Sequence, residues 1–130
     1  MAAPPRMNAD ARRDDWRLAL AVLAAAGVIR LAFAALIPLF PDETYYWEWS
    51  RHLAGGYFDH PSGIARLIAL GTGLAAMLGK AATPVAVRCF SVIAGFVGSL
   101  AAAGIARRIA GDRAALIAAV TLSAMPLAAA

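Results

Sequence analysis

From Cys89 to Ala106 the chain runs for eighteen residues without a charge, and from Leu18 to Phe40 it runs for twenty-three with one, Arg30. Runs of that length restrict the fold before any other feature does. At 1.5 Å per residue a helix over 18–40 spans about 34 Å, enough to cross a hydrocarbon core of ~30 Å. A helix also satisfies its backbone hydrogen bonds internally, which lipid demands. The chain as a whole is 62% hydrophobic, against roughly 45–50% for a soluble domain. An all-α integral membrane protein is therefore expected.

Charge sets the layout. The net charge of +4 comes largely from arginines beside the apolar runs. That placement is a topology signal, and no Lys/Arg-rich run of nucleic-acid type exists. A lone cysteine, Cys89, excludes an intrachain disulfide. Residues 1–17 are polar, with two prolines, and are expected to form a disordered cytoplasmic tail. Residues 18–40 form the first span, ended by Pro38 and Pro41. A cleaved signal peptide is the rival there, but only Leu18 to Leu23 precedes Ala24-Ala25-Ala26, short for an h-region. The stretch 62–79 carries Arg66 and four glycines. If it crossed, Arg107, Arg108 and Arg113 would fall outside. Keeping them and the arginines of the tail on the cytoplasmic side makes 41–83 one external segment with two surface helices. A second span follows at 85–106, then a cytoplasmic loop at 107–113 and a third span at 114–130, about three in all. The sequence closes within the apolar run ALIAAVTLSAMPLAAA, so the chain is expected to be the N-terminal part of a larger multi-span protein.

The external segment concentrates the polar chemistry. Pro41 to Pro61, PDETYYWEWSRHLAGGYFDHP, holds four of the eight acids, both histidines and six of the eleven aromatics. Asp42 is a good N-cap, and Glu43 suits a first turn. A helix from Glu43 to Ala54, stopped by Gly55-Gly56, would put Tyr46, Trp49 and Leu53 on one face and Tyr45, Glu48 and His52 on another. Such aromatics suit a helix lying at a membrane surface. Read singly, Asp42-Glu43 is a cap with a dipole charge, Asp59 and His60 are turn residues and His52 is solvated. Read together, two acidic clusters beside a lipid surface can position a cation or take a proton from a hydroxyl. Arg30, deep in the first span, has to face protein, water or a partner acid.

The combination PLFPDETYYWEWSRHLAGGYFDHPSGIARLIALGTGL followed by AVRCFSVIAGFVGSLAAAGIARRIAGDRAALIAAV resembles the N-terminal part of bacterial membrane glycosyltransferases. These are of the dolichyl-phosphate-mannose protein mannosyltransferase type and include the aminoarabinose transferases and lipopolysaccharide galacturonosyltransferases. The resemblance runs from about Arg30 to Val120 and is carried by PDETYYWEWS, GYFDHP and VAVR with ARRIAGDRAALIAA. It implies transfer of a sugar from a polyprenyl-phosphate-linked donor to a lipid, glycan or protein acceptor, on the external face of a bacterial inner membrane. It implies Asp42 as the catalytic acid, with Glu43 its companion. It sets Asp59 and His60 near a divalent metal or the donor phosphate, and gives Arg88 a structural or phosphate-contacting role. Arg30 is a further candidate for a lipid phosphate. Ser62 and Gly63 depart from a pattern that often has a second proline and then a bulky apolar residue. Relatives of this type are also several times longer.

Two other function classes fit the composition. One is a small non-enzymatic membrane protein or subunit of a membrane assembly, which leaves the polar concentration at 41–61 unexplained. The other is a piece of a transporter with Arg30 lining a pathway, which lacks the paired broken helices of such folds.

Overall fold

A computed structural model describes residues 9–125, and no strand occurs among them. The element order is α1 (Ala9–Leu36), α2 (Pro41–Arg51), α3 (Gly63–Met77), α4 (Pro84–Ala110) and α5 (Asp112–Ala124). The described residues form helices joined by short turns, as expected. Two helices are long and apolar enough to cross a membrane, α1 over Asp14–Leu36 and α4 over its whole length. Only 17% and 11% of their most apolar stretches are buried, whereas a core helix of a soluble protein would be mostly covered. Leu18, Val28, Ile29, Leu36, Ile93 and Val97 are among the large apolar side chains left exposed.

The helix ends differ from the sequence expectation in instructive ways. The expected tail at 1–17 is helical from Ala9, and residues 1–8 lie outside the described residues. Alanines and arginines are good helix formers, which extends α1 two turns beyond the apolar run. Its other end falls at Leu36 and not Phe40, because Pro38 disfavours helical geometry at the residue before it. The expected loop at 107–113 shrinks to Gly111. Arg107 and Arg108 continue α4 instead, a favourable place for cations in a last turn. Gly111 then turns the chain with φ of 84°, a region that glycine enters at little cost. The third expected span is represented by the 13 residues of α5. It ends at Ala124, with Met125 extended before Pro126; the rest of 114–130 lies outside the described residues.

Helix α3, at 15 residues, reaches only about 22 Å, short of a bilayer core. Its end is a Schellman motif. Lys80 N–H donates to the Ala75 carbonyl at 2.9 Å and Gly79 N–H to that of Ala76 at 2.9 Å, with Gly79 at φ 68°. Thr83 then caps α4, its hydroxyl oxygen accepting the Ala86 N–H at 3.3 Å, with Pro84 in the favoured first position.

Two compact units divide the described chain, one made of 9–27 with 95–125, the other of 28–94. In the first, Ala19, Leu23, Ala103 and Ala119 form a buried core, with Trp16, Phe96, Leu100 and Leu116 packed on it. Alanine at these contacts lets helix backbones approach closely. The guanidinium of Arg107 lies 4.5 Å from the Trp16 ring centre and donates to Asp112 at 2.6 Å. That ties α1, α4 and α5 at one level. In the second unit Ala34, Ala65, Ile68, Gly71, Ala86 and Val87 are buried, and α2 packs on α3.

Candidate active site

The second unit holds the polar segment, and its centre is an ion pair. Arg88, one turn into α4, has only 9% of its side chain exposed. Its Nε donates to Glu43 Oε1 at 2.5 Å and its Nη2 to Glu43 Oε2 at 2.6 Å. Nη2 also reaches the Pro38 carbonyl at 2.9 Å, and Nη1 reaches those of Ile37 at 2.7 Å and Ala34 at 3.4 Å. All five guanidinium donors therefore have acceptors. The Phe33 ring centre lies 5.5 Å away. A cation near the positive start of α4 is unfavourable by itself, and the carbonyl end of α1 offsets that cost.

Glu43 completes the junction. Its Oε2 also accepts the Phe40 N–H at 2.8 Å, one of the amides that the start of α2 leaves without a helical partner. One Arg–Glu pair thus closes the end of α1 and the beginning of α2. The Arg88 hydrogen bonds hold the Glu43 carboxyl below the usual carboxylate range. The Phe40 amide and the Arg88 charge act in the same direction, and burial acts against them.

Asp42 stands differently from its neighbour. Phe40 is the cap residue and Pro41 the first residue of α2, so Asp42 sits one position inside the helix and is not the N-cap. Proline at that first position is preorganised for a helix. The Asp42 side chain is exposed. It shares a face of α2 with Tyr46, four residues on.

Around Trp49 the aromatic side chains gather. Tyr57 stacks on it with ring centres 4.4 Å apart and planes 2° apart. Tyr45 lies 4.5 Å and Tyr46 5.3 Å from it, both tilted. The Tyr57 hydroxyl lies 2.9 Å from the Trp49 carbonyl and 3.1 Å from that of His52, and it accepts the Ala54 N–H at 3.3 Å. This side chain closes α2 at Arg51, a turn earlier than the expected end at Ala54. Glu48 pairs with Arg51 at 3.1 Å and with His52 at 3.5 Å, on the face the sequence assigned to Glu48 and His52.

Residues 56–61 fold back as a tight turn. Gly56 bridges Pro61, and Tyr57 N–H donates to the His60 carbonyl at 3.0 Å. His60 Nε2 is 3.3 Å from the Tyr46 hydroxyl, and Nδ1 is 3.4 Å from Asp59. A proton on Nδ1 toward Asp59 leaves Nε2 to accept from the phenol. His60 thus joins the turn to the face of α2 that bears Asp42.

Of the expected site residues, Glu43 and Arg88 are brought into direct contact, as are Asp59 and His60. Arg30 is half-buried in α1 and engaged within the chain. Among the described residues no three or more His, Cys, Asp or Glu side chains gather as metal ligands. Asp59 and His60 offer two donors that face each other, so the donor set for a divalent cation is incomplete there. Sequence reasoning missed the partner of Arg88, forty-five positions from Glu43. The available signal was a single guanidinium just inside an apolar helix, which needs an acid or carbonyl ends to be buried. No protein-family model matches the chain, and no curated protein or solved structure matches it.

Proposed function

We propose that the chain carries the motif-bearing N-terminal part of a membrane glycosyltransferase. In this reading α1 and α4 cross a bacterial inner membrane, with α5 contributing to a third span. Residues 41–83 lie on the external face, α2 and α3 resting on the lipid surface, and the arginines after α4 stay in the cytoplasm. The donor is a polyprenyl-phosphate-linked sugar and the acceptor a hydroxyl of a lipid, glycan or protein.

The contrast between two adjacent acids carries this proposal. Glu43 is consumed by Arg88 and the Phe40 amide, while Asp42 beside it is exposed on a helix start fixed from two sides. A carboxylate held in place and left open is suited to accept a proton from an attacking hydroxyl. Glu43 and Arg88 act as positioning residues, because they set where α2 begins. His60 stands on the same side of α2 through Tyr46 and is suited to face the leaving phosphate.

The test uses inner membranes from cells expressing the protein from its natural gene. Membranes are supplied with polyprenyl-phosphate sugars labelled in the sugar. Label passing to an acceptor above the level of membranes lacking the protein is expected. Absence of transfer across a panel of donors would favour the non-enzymatic reading, in which the Arg88–Glu43 junction is purely structural.

A further inference from the structure

Phe58 is wholly exposed, yet the turn that carries it is pinned on both sides. On one side Tyr57 is stacked on Trp49 and hydrogen-bonded to the end of α2. On the other, His60 lies against the Tyr46 and Trp49 rings, with centres 5.3 and 5.8 Å away. The Gly56–Pro61 bridge closes the base. A large apolar ring held out by a fixed turn has little conformational freedom left to lose when something covers it. Removing such a ring from water is favourable in proportion to the apolar area covered.

We infer that Phe58 is a membrane anchor, inserted at the boundary between headgroups and acyl chains. This rests on the membrane reading above. Three observations choose lipid over a sugar or a protein. Four residues separate the end of α1 from α2, and six separate α3 from α4, so the segment between the two span-length helices is tethered close to the bilayer at both ends. Phe40, Leu53, Met77 and Leu78 of this unit are exposed apolar side chains as well. Asp59, next to Phe58, places Oδ2 3.4 Å from His60 Nδ1, so part of its acceptor capacity is already engaged within the turn. The anchor fixes the height of the turn, and through His60 and Tyr46 it fixes the height of the α2 face that bears Asp42.

Spin labels test this directly. The protein is reconstituted in phosphatidylethanolamine–phosphatidylglycerol vesicles in a Cys89→Ala background. A single label is placed at Phe58→Cys, at Glu48→Cys on the polar face of α2, or at Ile93→Cys on the exposed side of α4. Collision rates with oxygen, which concentrates in lipid, and with a water-soluble nickel chelate are compared. The label at 58 is expected to favour oxygen several-fold more than the label at 48, as the label at 93 does. Nickel access at 58 with oxygen preference kept at 93 would overturn the anchor and leave the membrane reading standing. Shielding of 58 from both probes would assign it to a protein contact and also overturn the anchor. Nickel access at 93 would overturn the membrane reading and the anchor with it.

Discussion

Arg88 donates to Glu43 twice and to three backbone carbonyls from a nearly buried position, so its loss leaves several acceptors without partners at once. Removing one member of a fully buried pair costs about 3–5 kcal/mol, and the partly exposed Glu43 carboxylate lowers that cost. Arg88→Gln is expected to lower thermal stability in detergent by several degrees, read by loss of the monodisperse peak after heating. Arg88→Lys should recover only part, because an ammonium cannot reproduce the bidentate fork. The pair also predicts a pH dependence. The folded protein binds the Glu43 proton less tightly than the unfolded chain. Its stabilisation is therefore complete above the ordinary carboxylate range and is lost as pH falls through the lower folded value. Glu43→Gln should flatten that part of a stability–pH curve measured from neutral to acid. Both residues were legible in the sequence as site candidates. Their contact was not, because nothing local in either stretch encodes a partner forty-five positions away.

At the scale of elements, one glycine decides how α3 meets α4. A Cβ on Gly71 would lie 2.0 Å from the Ala86 carbonyl oxygen and 3.0 Å from Cys89 Sγ, so α3 and α4 pack here backbone to backbone. Gly71→Ala is expected to destabilise by about 1–3 kcal/mol through overpacking, seen as a lower heat-inactivation midpoint. Gly73→Ala, two residues on in open space, should be neutral or slightly stabilising and serves as the control. The apolar runs and their breakers made the helices legible, since length, Pro and Gly act locally. The helix ends were less legible. Tyr57 ends α2 with a hydroxyl from eight residues beyond Trp49, and Arg107 extends α4 because Trp16 and Asp112 receive it. Those determinants come from tertiary contacts, which periodicity does not carry.

For the whole molecule, two helices among the described residues are long and apolar enough to cross a membrane and keep little of their apolar surface buried, which agrees with the apolar composition. Asp42 and Glu43 are adjacent and similar in type, and in the sequence only the family resemblance set Asp42 ahead of Glu43. The fold separates them, one exposed and one locked. In the proposed reading Asp42 acts on the substrate while Glu43 holds the scaffold. The most direct test of that reading compares sugar transfer and folded-protein level for Asp42→Asn and Glu43→Gln in the same membranes. Asp42→Asn is expected to lower transfer by about 10²-fold or more at an unchanged folded level, the loss typical of a missing general base. Glu43→Gln is expected to lower the folded level, with the remaining protein retaining transfer. Wild-type transfer by Asp42→Asn would rule Asp42 out as the base and leave it as a charge at a helix start.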